Sequence, residues 1–381
     1  MSEEGPHPGL LVRQQSPLNA GPRLGQLGAS FVTPNELFFI RNHGDVPRVD
    51  AASFRLRVGG LVGRPLELSL DDLRRLPRAE VTATVQCAGN RRSELAAVAP
   101  IPGELPWGLE AVSNAHWAGV RMADVLNLSG VATAKAAGGN GNGNGNGHTR
   151  LHVAFAGLDE TERHGHRFNF GGSIPLAKAL SPEVLLAFEM NGAPLPPEHG
   201  APLRALVPGY IGARSVKWLS HINLQDSPSA NYFQSRAYRL FPPWVRTAPE
   251  DEDGWDRGLM LGEMSLNSII TAPADGETLR AGEVEVRGVA IAGSGRTLAR
   301  VDVSADGGAS WLDAAIEEPG AASWAWRLWR ARLRLAEGGH RLVCRAWDSA
   351  AQTQPEDPAQ LWNFKGYINN AWHRVAVTAI S

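Results

Sequence analysis

The residues best suited to chemistry lie in Thr84-Val85-Gln86-Cys87-Ala88-Gly89-Asn90-Arg91-Arg92-Ser93-Glu94-Leu95, where a lone cysteine is followed by two arginines. Glu80 to Gln86 alternates and is rich in β-branched residues, the pattern of a strand. Ala88-Gly89-Asn90 reads as a tight turn into a helix beginning near Arg91. Cys87 then sits at a strand-to-helix corner, where the helix N-terminus and the guanidinium charges both favour the ionised thiol. A thiolate attacks electrophiles or binds soft metals. The plainer alternative is a half-buried structural cysteine.

This segment closely resembles the molybdenum-ligating motif of the sulfite oxidase family. The likeness runs from about Phe38 to the C-terminus through four further blocks. They are Phe38-Phe39-Ile40-Arg41-Asn42-His43, Phe188-Glu189-Met190-Asn191-Gly192, Val207-Pro208-Gly209-Tyr210-Ile211-Gly212-Ala213-Arg214 and Asn369-Asn370-Ala371-Trp372-His373-Arg374. The resemblance implies a molybdopterin cofactor carrying one molybdenum, with Cys87 as the metal ligand. The matching positions for the pterin and its phosphate are Phe39, Ile40, Arg41, Asn42, His43, Asp159, His199, Arg204, Ser215, Val216 and Lys217. Those residue types suit the task, because a phosphate-tailed pterin needs buried donors and cationic partners. Taken singly, Asp159 could be a helix cap and His199 a solvated loop residue.

The family's anion-pocket positions fall on Arg41, Arg92, Lys365, Tyr238 and Trp107. Sulfite is a small hydrated anion that needs converging positive charge and a neutral donor, which the Tyr238 phenol can supply. Two positions depart from the animal and plant enzymes of the family. Lys365 stands where arginine is usual, a point charge without the bidentate fork. Ala237 stands where an acid usually precedes the tyrosine.

At 381 residues with 43% hydrophobic side chains, two domains with real cores are the default expectation. The formal charge of −2 offers no basic excess for nucleic acid, and no apolar run is long enough to span a bilayer. Residues 1 to 30 show no export signal, so a soluble cytoplasmic protein is expected. Two separated cysteines, Cys87 and Cys344, build no Cys-x-x-Cys-His haem site and no iron–sulfur framework, and Cys344 in a β-like run reads as packing. No haem is expected.

Residues 1–30 read as an extended arm. From 31 to 264 short strands (Phe54 to Val58, Glu80 to Gln86, Leu151 to Phe155) mix with short helices (Ser69 to Leu76, Met122 to Leu128), an α+β pattern for the cofactor domain. The Gly/Asn run at 138–147 reads as a flexible surface insertion. Across 265–381 the grammar is short strands and turns: Glu283 to Ala290, Leu298 to Ser304, Trp324 to Trp329 and Arg341 to Trp347. That spacing suggests an all-β immunoglobulin-like sandwich, with the aromatic run packing between its sheets. The resemblance implies that this domain forms a homodimer.

The expected activity is oxidation of sulfite to sulfate at molybdenum, with electrons passing to oxygen or an external cytochrome. Nitrate reduction or a thiosulfate- or sulfane-type substrate competes within the same fold. A molybdopterin carrier without turnover competes from another class, and a complete set of anion-binding residues argues against it.

Overall fold

The computed structural model describes residues 6–131, 151–163, 165–293, 295–317 and 323–381. The expected insertion at 138–147 lies outside them. Strands dominate throughout, and the helices are short segments such as Leu70–Arg74, Arg92–Val98 and Met122–Leu128. The first half is therefore β-rich with a few short helices, so the expected mixture of short strands and short helices is weighted strongly toward strands. Tertiary pairing extends short propensity signals into long ladders: Arg78–Gln86 lies antiparallel to Val112–Arg121 along its whole length. Among the described residues no helix is long and apolar enough to cross a membrane.

Two five-stranded sheets frame the first half. One runs Ala193–Pro194, Leu185–Met190, Val112–Arg121, Arg78–Gln86, with Arg204–Leu206 also on Leu185–Met190. The other runs Leu66–Leu68, Leu56–Gly60, Leu219–Gln225, His152–Arg163, His166–Pro175. Leu70–Arg74 starts where a capping box predicts it. The Ser69 hydroxyl accepts from the Asp72 amide at 3.1 Å, and the Asp72 carboxylate accepts from the Ser69 amide at 3.0 Å.

Residues 10–22, expected to be extended, form a hairpin of Leu10–Gln14 with Asn19–Pro22. It docks through reciprocal backbone bonds between Ala20 and Ile40 of 2.7 and 3.0 Å. Apolar Leu10, Ala20 and Ile40 bury one another there, which anchors an otherwise polar segment.

Asn267–Ala272, Gly282–Ile291, Arg327–Leu335 and Ala315–Ile316 make one sheet of the second half. Glu277–Arg280, His373–Ile380, Gly338–Asp348, Leu298–Ser304 and Leu312–Asp313 make the other. Alternating side chains such as Val286, Trp329, Leu342 and Val377 fill the space between them. The aromatic run does not serve that core as a unit. Trp329 packs between the sheets, but Trp326 donates to the Phe31 carbonyl at 2.9 Å and Trp324 accepts from the Thr84 amide at 3.1 Å. The strand begins at Arg327 because the residues before it join the two halves.

His373 ties the C-terminal strand to its neighbour sheet: its Nδ1 accepts from the Ile270 amide at 3.0 Å. Burial, followed by the nearby Arg91 charge, draws its pKa down to about 4. The folded state thus excludes a proton that the unfolded chain binds below pH 6.5, so stability from this group is full above 6.5 and is lost as pH falls toward 4. Stability from His373 should be on the order of 2 kcal/mol lower at pH 5 than at pH 7.5. In His373→Asn, whose amide oxygen accepts the same bond without titrating, that part of the pH dependence should vanish in urea unfolding.

Candidate active site

Cys87 ends the Arg78–Gln86 strand, and Arg91 caps the helix Arg92–Val98 with a left-handed backbone, φ 65°. The turn between them closes with an Asn90 amide to Cys87 carbonyl bond of 3.0 Å, and the Gly89 amide points at the sulfur at 3.4 Å. Cys87 is buried yet lines a cavity shared with Phe39, Arg41, His43 and Tyr238. Among the described residues no three His, Cys, Asp or Glu side chains converge as a cage for a metal ion. Toward a metal, the cavity offers one thiolate.

Arg41, His43 and Tyr238 form a directed chain. Arginine can only donate, so the 3.1 Å contact of its Nη2 with His43 Nδ1 makes that nitrogen the acceptor. His43 Nε2 then carries the proton and donates to the Tyr238 hydroxyl at 2.9 Å. The Tyr238 proton is left free to donate elsewhere. Burial and the Arg41 charge hold the imidazole pKa well below its usual value, and burial holds the phenol above its own. Tyr238 follows a π-helical turn, Phe233–Ala237, and stacks on Tyr367 with centroids 5.3 Å apart. Histidine, not residue 237, orients the phenol.

The far end of the cavity is cationic. Arg204 donates to the His199 and Ser215 carbonyls at 3.0 and 3.1 Å and lies 4.9 Å over the Trp117 ring. Lys217 donates to Asn42 Oδ1 and, at 2.8 Å, to the Glu198 carbonyl. Burial draws the Arg204 pKa down to about 9 and, with the Arg204 charge, that of Lys217 down to about 7. Asp159 lines the same end, its Oδ1 buried without a partner, and burial raises its carboxyl to about 6 against the pull of Lys217. His199 donates from Nε2 to the Asn35 carbonyl at 3.2 Å, and burial lowers its pKa to about 3.

Of the other expected residues, Phe39 and Ser215 line the cavity and are each held by a hydrogen bond. Phe39 donates its amide to Ser113 Oγ at 3.1 Å, and Ser215 Oγ accepts from the Val207 amide at 3.0 Å. Ile40 and Val216 face apolar cores and line neither this cavity nor the next.

Arg41 and His43 also line an outer vestibule that includes Asn42, Glu104, Lys365 and Tyr367. There Lys365 pairs with Glu104 at 2.9 Å. Arg92 and Trp107, expected in the anion pocket, line neither cavity. Arg92 is spent on the Lys365 and Leu105 carbonyls at 2.8 and 2.6 Å and on Glu104 at 3.5 Å, and Trp107 is fully buried with an unpartnered indole N–H.

Sequence reasoning missed Glu104, which couples Arg92 to Lys365, and Asn19. From the N-terminal hairpin, Asn19 Oδ1 accepts from the Asn42 amide at 2.8 Å and from Arg41 at 3.2 Å. Neither carried a signal beyond an ordinary polar residue in a loop.

Residues 43–233 match the oxidoreductase molybdopterin binding domain, and residues 259–380 match the Mo-co oxidoreductase dimerisation domain. The chain belongs to the sulfite oxidase family. It is 44% identical over 380 residues to mitochondrial sulfite oxidase of Homo sapiens, covering 97% of this chain and 66% of that protein. It is 39% identical over 392 residues to sulfite oxidase of Arabidopsis thaliana, covering 98% of this chain and 95% of that protein. In fold it resembles the sulfane dehydrogenase SoxCD from Paracoccus pantotrophus, with a TM-score of 0.76 at 24% identity over 100% of this chain and 90% of that one.

The cavity suits a molybdopterin of this family on its own chemistry. It combines a cysteine sulfur, a buried carboxyl oxygen lacking a donor, and two desolvated cations held mainly by backbone carbonyls. A phosphate beside Lys217 would hold its ammonium charged. Lys217→Met should accordingly lower molybdenum per purified chain about tenfold with the circular-dichroism spectrum unchanged, the loss expected for a hydrogen bond to a charged group.

Proposed function

We propose that this protein oxidises sulfite to sulfate with a molybdenum–molybdopterin cofactor held in the inner cavity through Cys87. The observation that carries this reading is the pair of residues shared by the two cavities. Arg41 and His43 line both, so the wall that meets Cys87 also meets solvent-borne anions. When bound, the cofactor supplies the two-electron redox chemistry. The chain's own part is to deliver and orient the anion.

Lys365 and Arg41 draw sulfite in, and Arg41 binds an oxyanion edge by charge-assisted hydrogen bonds. Tyr238, its oxygen already accepting from His43, turns its proton toward the substrate as a neutral donor. Because burial holds the phenol above its usual pKa, Tyr238 stays protonated and adds no negative charge against the incoming anion. The closed aromatic wall of Tyr238 and Tyr367 limits water around the reacting centre.

The remaining assignments extend this reading. Residues 1–30 form an N-terminal arm, 31–264 the catalytic domain, and 265–381 an immunoglobulin-like sandwich through which the chain forms a homodimer. Its two separated cysteines build no Cys-x-x-Cys-His attachment site, and on this reading the chain carries no haem. It passes electrons to oxygen or a separate cytochrome, in the cytoplasm.

Two tests follow. Cys87→Ser should abolish rapid bleaching by sulfite in stopped-flow absorption, because a hydroxyl is too hard and too weakly acidic to replace a thiolate. Turnover above a few per cent of wild type, at full molybdenum loading, would remove Cys87 as ligand. At the vestibule, Glu104→Gln should lower the sulfite KM about threefold to tenfold by freeing Lys365 from its ion pair. Lys365→Met should raise it by about one to two orders of magnitude. Equal losses of thermal stability with unmoved KM would make the pair structural.

A further inference from the structure

The loop that carries Cys87 belongs to the first half of the chain, but many of its polar groups are satisfied by the second. The Ile368 amide donates to the Ala88 carbonyl at 2.7 Å. Asn369 Nδ2 donates to the Arg91 carbonyl at 3.0 Å. Arg91, fully buried, donates from Nη1 to Asn267 Oδ1 at 2.8 Å while Nε and Nη2 clasp Glu94 at 2.7 and 2.6 Å. Arg92 Nε reaches the Lys365 carbonyl at 2.8 Å. Gly366, at φ +60, lets that segment press so close that a Cβ would stand 2.5 Å from Arg92 Cγ.

The loop needs this support. Arg91 is a bulky residue in the left-handed region, a conformation that costs about 1–2 kcal/mol and persists only where the surroundings over-determine it. Within the first half the loop is tied by the Cys87 amide to the Ala111 carbonyl at 2.9 Å, the Arg91 amide to the Gly108 carbonyl at 2.6 Å and the Ala111 amide to Asn90 Oδ1 at 3.0 Å. The partner of the Ala88 carbonyl comes from residue 368, and the Arg91 carbonyl, which accepts from the Glu94 amide at 3.2 Å, takes its second bond from residue 369.

We propose that Asn369 is a positioning residue for Cys87: the C-terminal sandwich, through Asn369 and Asn267, sets the turn that aims the thiolate into the cavity. This rests on Cys87 being the ligand only for its catalytic consequence. The brace itself is a property of the cofactor-free fold. Seating of the sandwich is then read directly at the metal site, and a displacement of residues 363–369 would shift the sulfur.

Asn370 supplies the control. It makes the same kind of bond from the same segment, Nδ2 to the Leu266 carbonyl at 3.0 Å, but away from the loop. In cofactor-free protein, amide exchange over residues 87–92 should quicken about tenfold in Asn369→Ala and in Asn267→Ala, as for loss of one buried hydrogen bond. It should stay at the wild-type rate in Asn370→Ala. Iodoacetamide labelling of Cys87, counted against buried Cys344, should rise in the same two variants. In loaded protein, Asn369→Ala should shift the thiolate-to-metal absorption band, which Asn370→Ala leaves in place. Unchanged exchange over 87–92 in both loop-facing variants, or an equal rise in Asn370→Ala, would overturn the proposal. Sulfite turnover by Cys87→Ser at full molybdenum loading would sink the ligand assignment and leave the exchange result to decide the brace.

Discussion

Buried positive charge is the constraint around which this protein is arranged. Arg204, Lys217, Arg91 and Arg92 all lie inside the fold, and moving such groups from water costs several kcal/mol each unless partners replace the lost hydration. The chain meets most of that demand with backbone carbonyls. Those of His199, Ser215 and Glu198 serve the cofactor end, and those of Lys365 and Leu105 serve Arg92. Carbonyl dipoles solvate a cation without neutralising it. The carboxyl that lines the inner cavity beside these cations is that of Asp159, whereas Arg91 and Arg92 are offset by ion pairs with Glu94 and Glu104.

The distinction between those two classes of arginine was not legible in the sequence. Spacing placed Arg92 five residues from Cys87 and the family likeness put it in the anion pocket, but one turn of rotation decides whether a guanidinium faces a cavity or a wall. Here the helix starting at Arg92 points it at residues 363–366. Cys87 at a strand end, the helix start beside Arg91 and the Ser69 cap were readable, because each rests on local backbone preferences. The Arg41–His43–Tyr238 chain was not, since it joins residues 195 apart in sequence through a bond that only the folded sheets create. Element boundaries failed where tertiary contacts compete with propensity. The Trp324 to Trp329 run looks like one strand, and its first residues are taken by Thr84 and Phe31.

That competition has a mechanical consequence. Trp324 lies beside Ala83 in an isolated parallel bridge, and the Trp326 amide donates to the Thr84 hydroxyl at 2.8 Å, so the strand leading to Cys87 is gripped upstream by the second half of the chain. Downstream, Ile368 and Asn369 hold the turn that follows the same cysteine. A cysteine held on both sides by the second half of the chain has little freedom to drift from it, and on the proposed reading of Cys87 as the single protein ligand this hold sets the direction of the sulfur, since no second side chain corrects it. The sandwich core of Val286, Trp329, Leu342 and Val377 is thus part of the active site's precision, although none of its side chains lines the cavity.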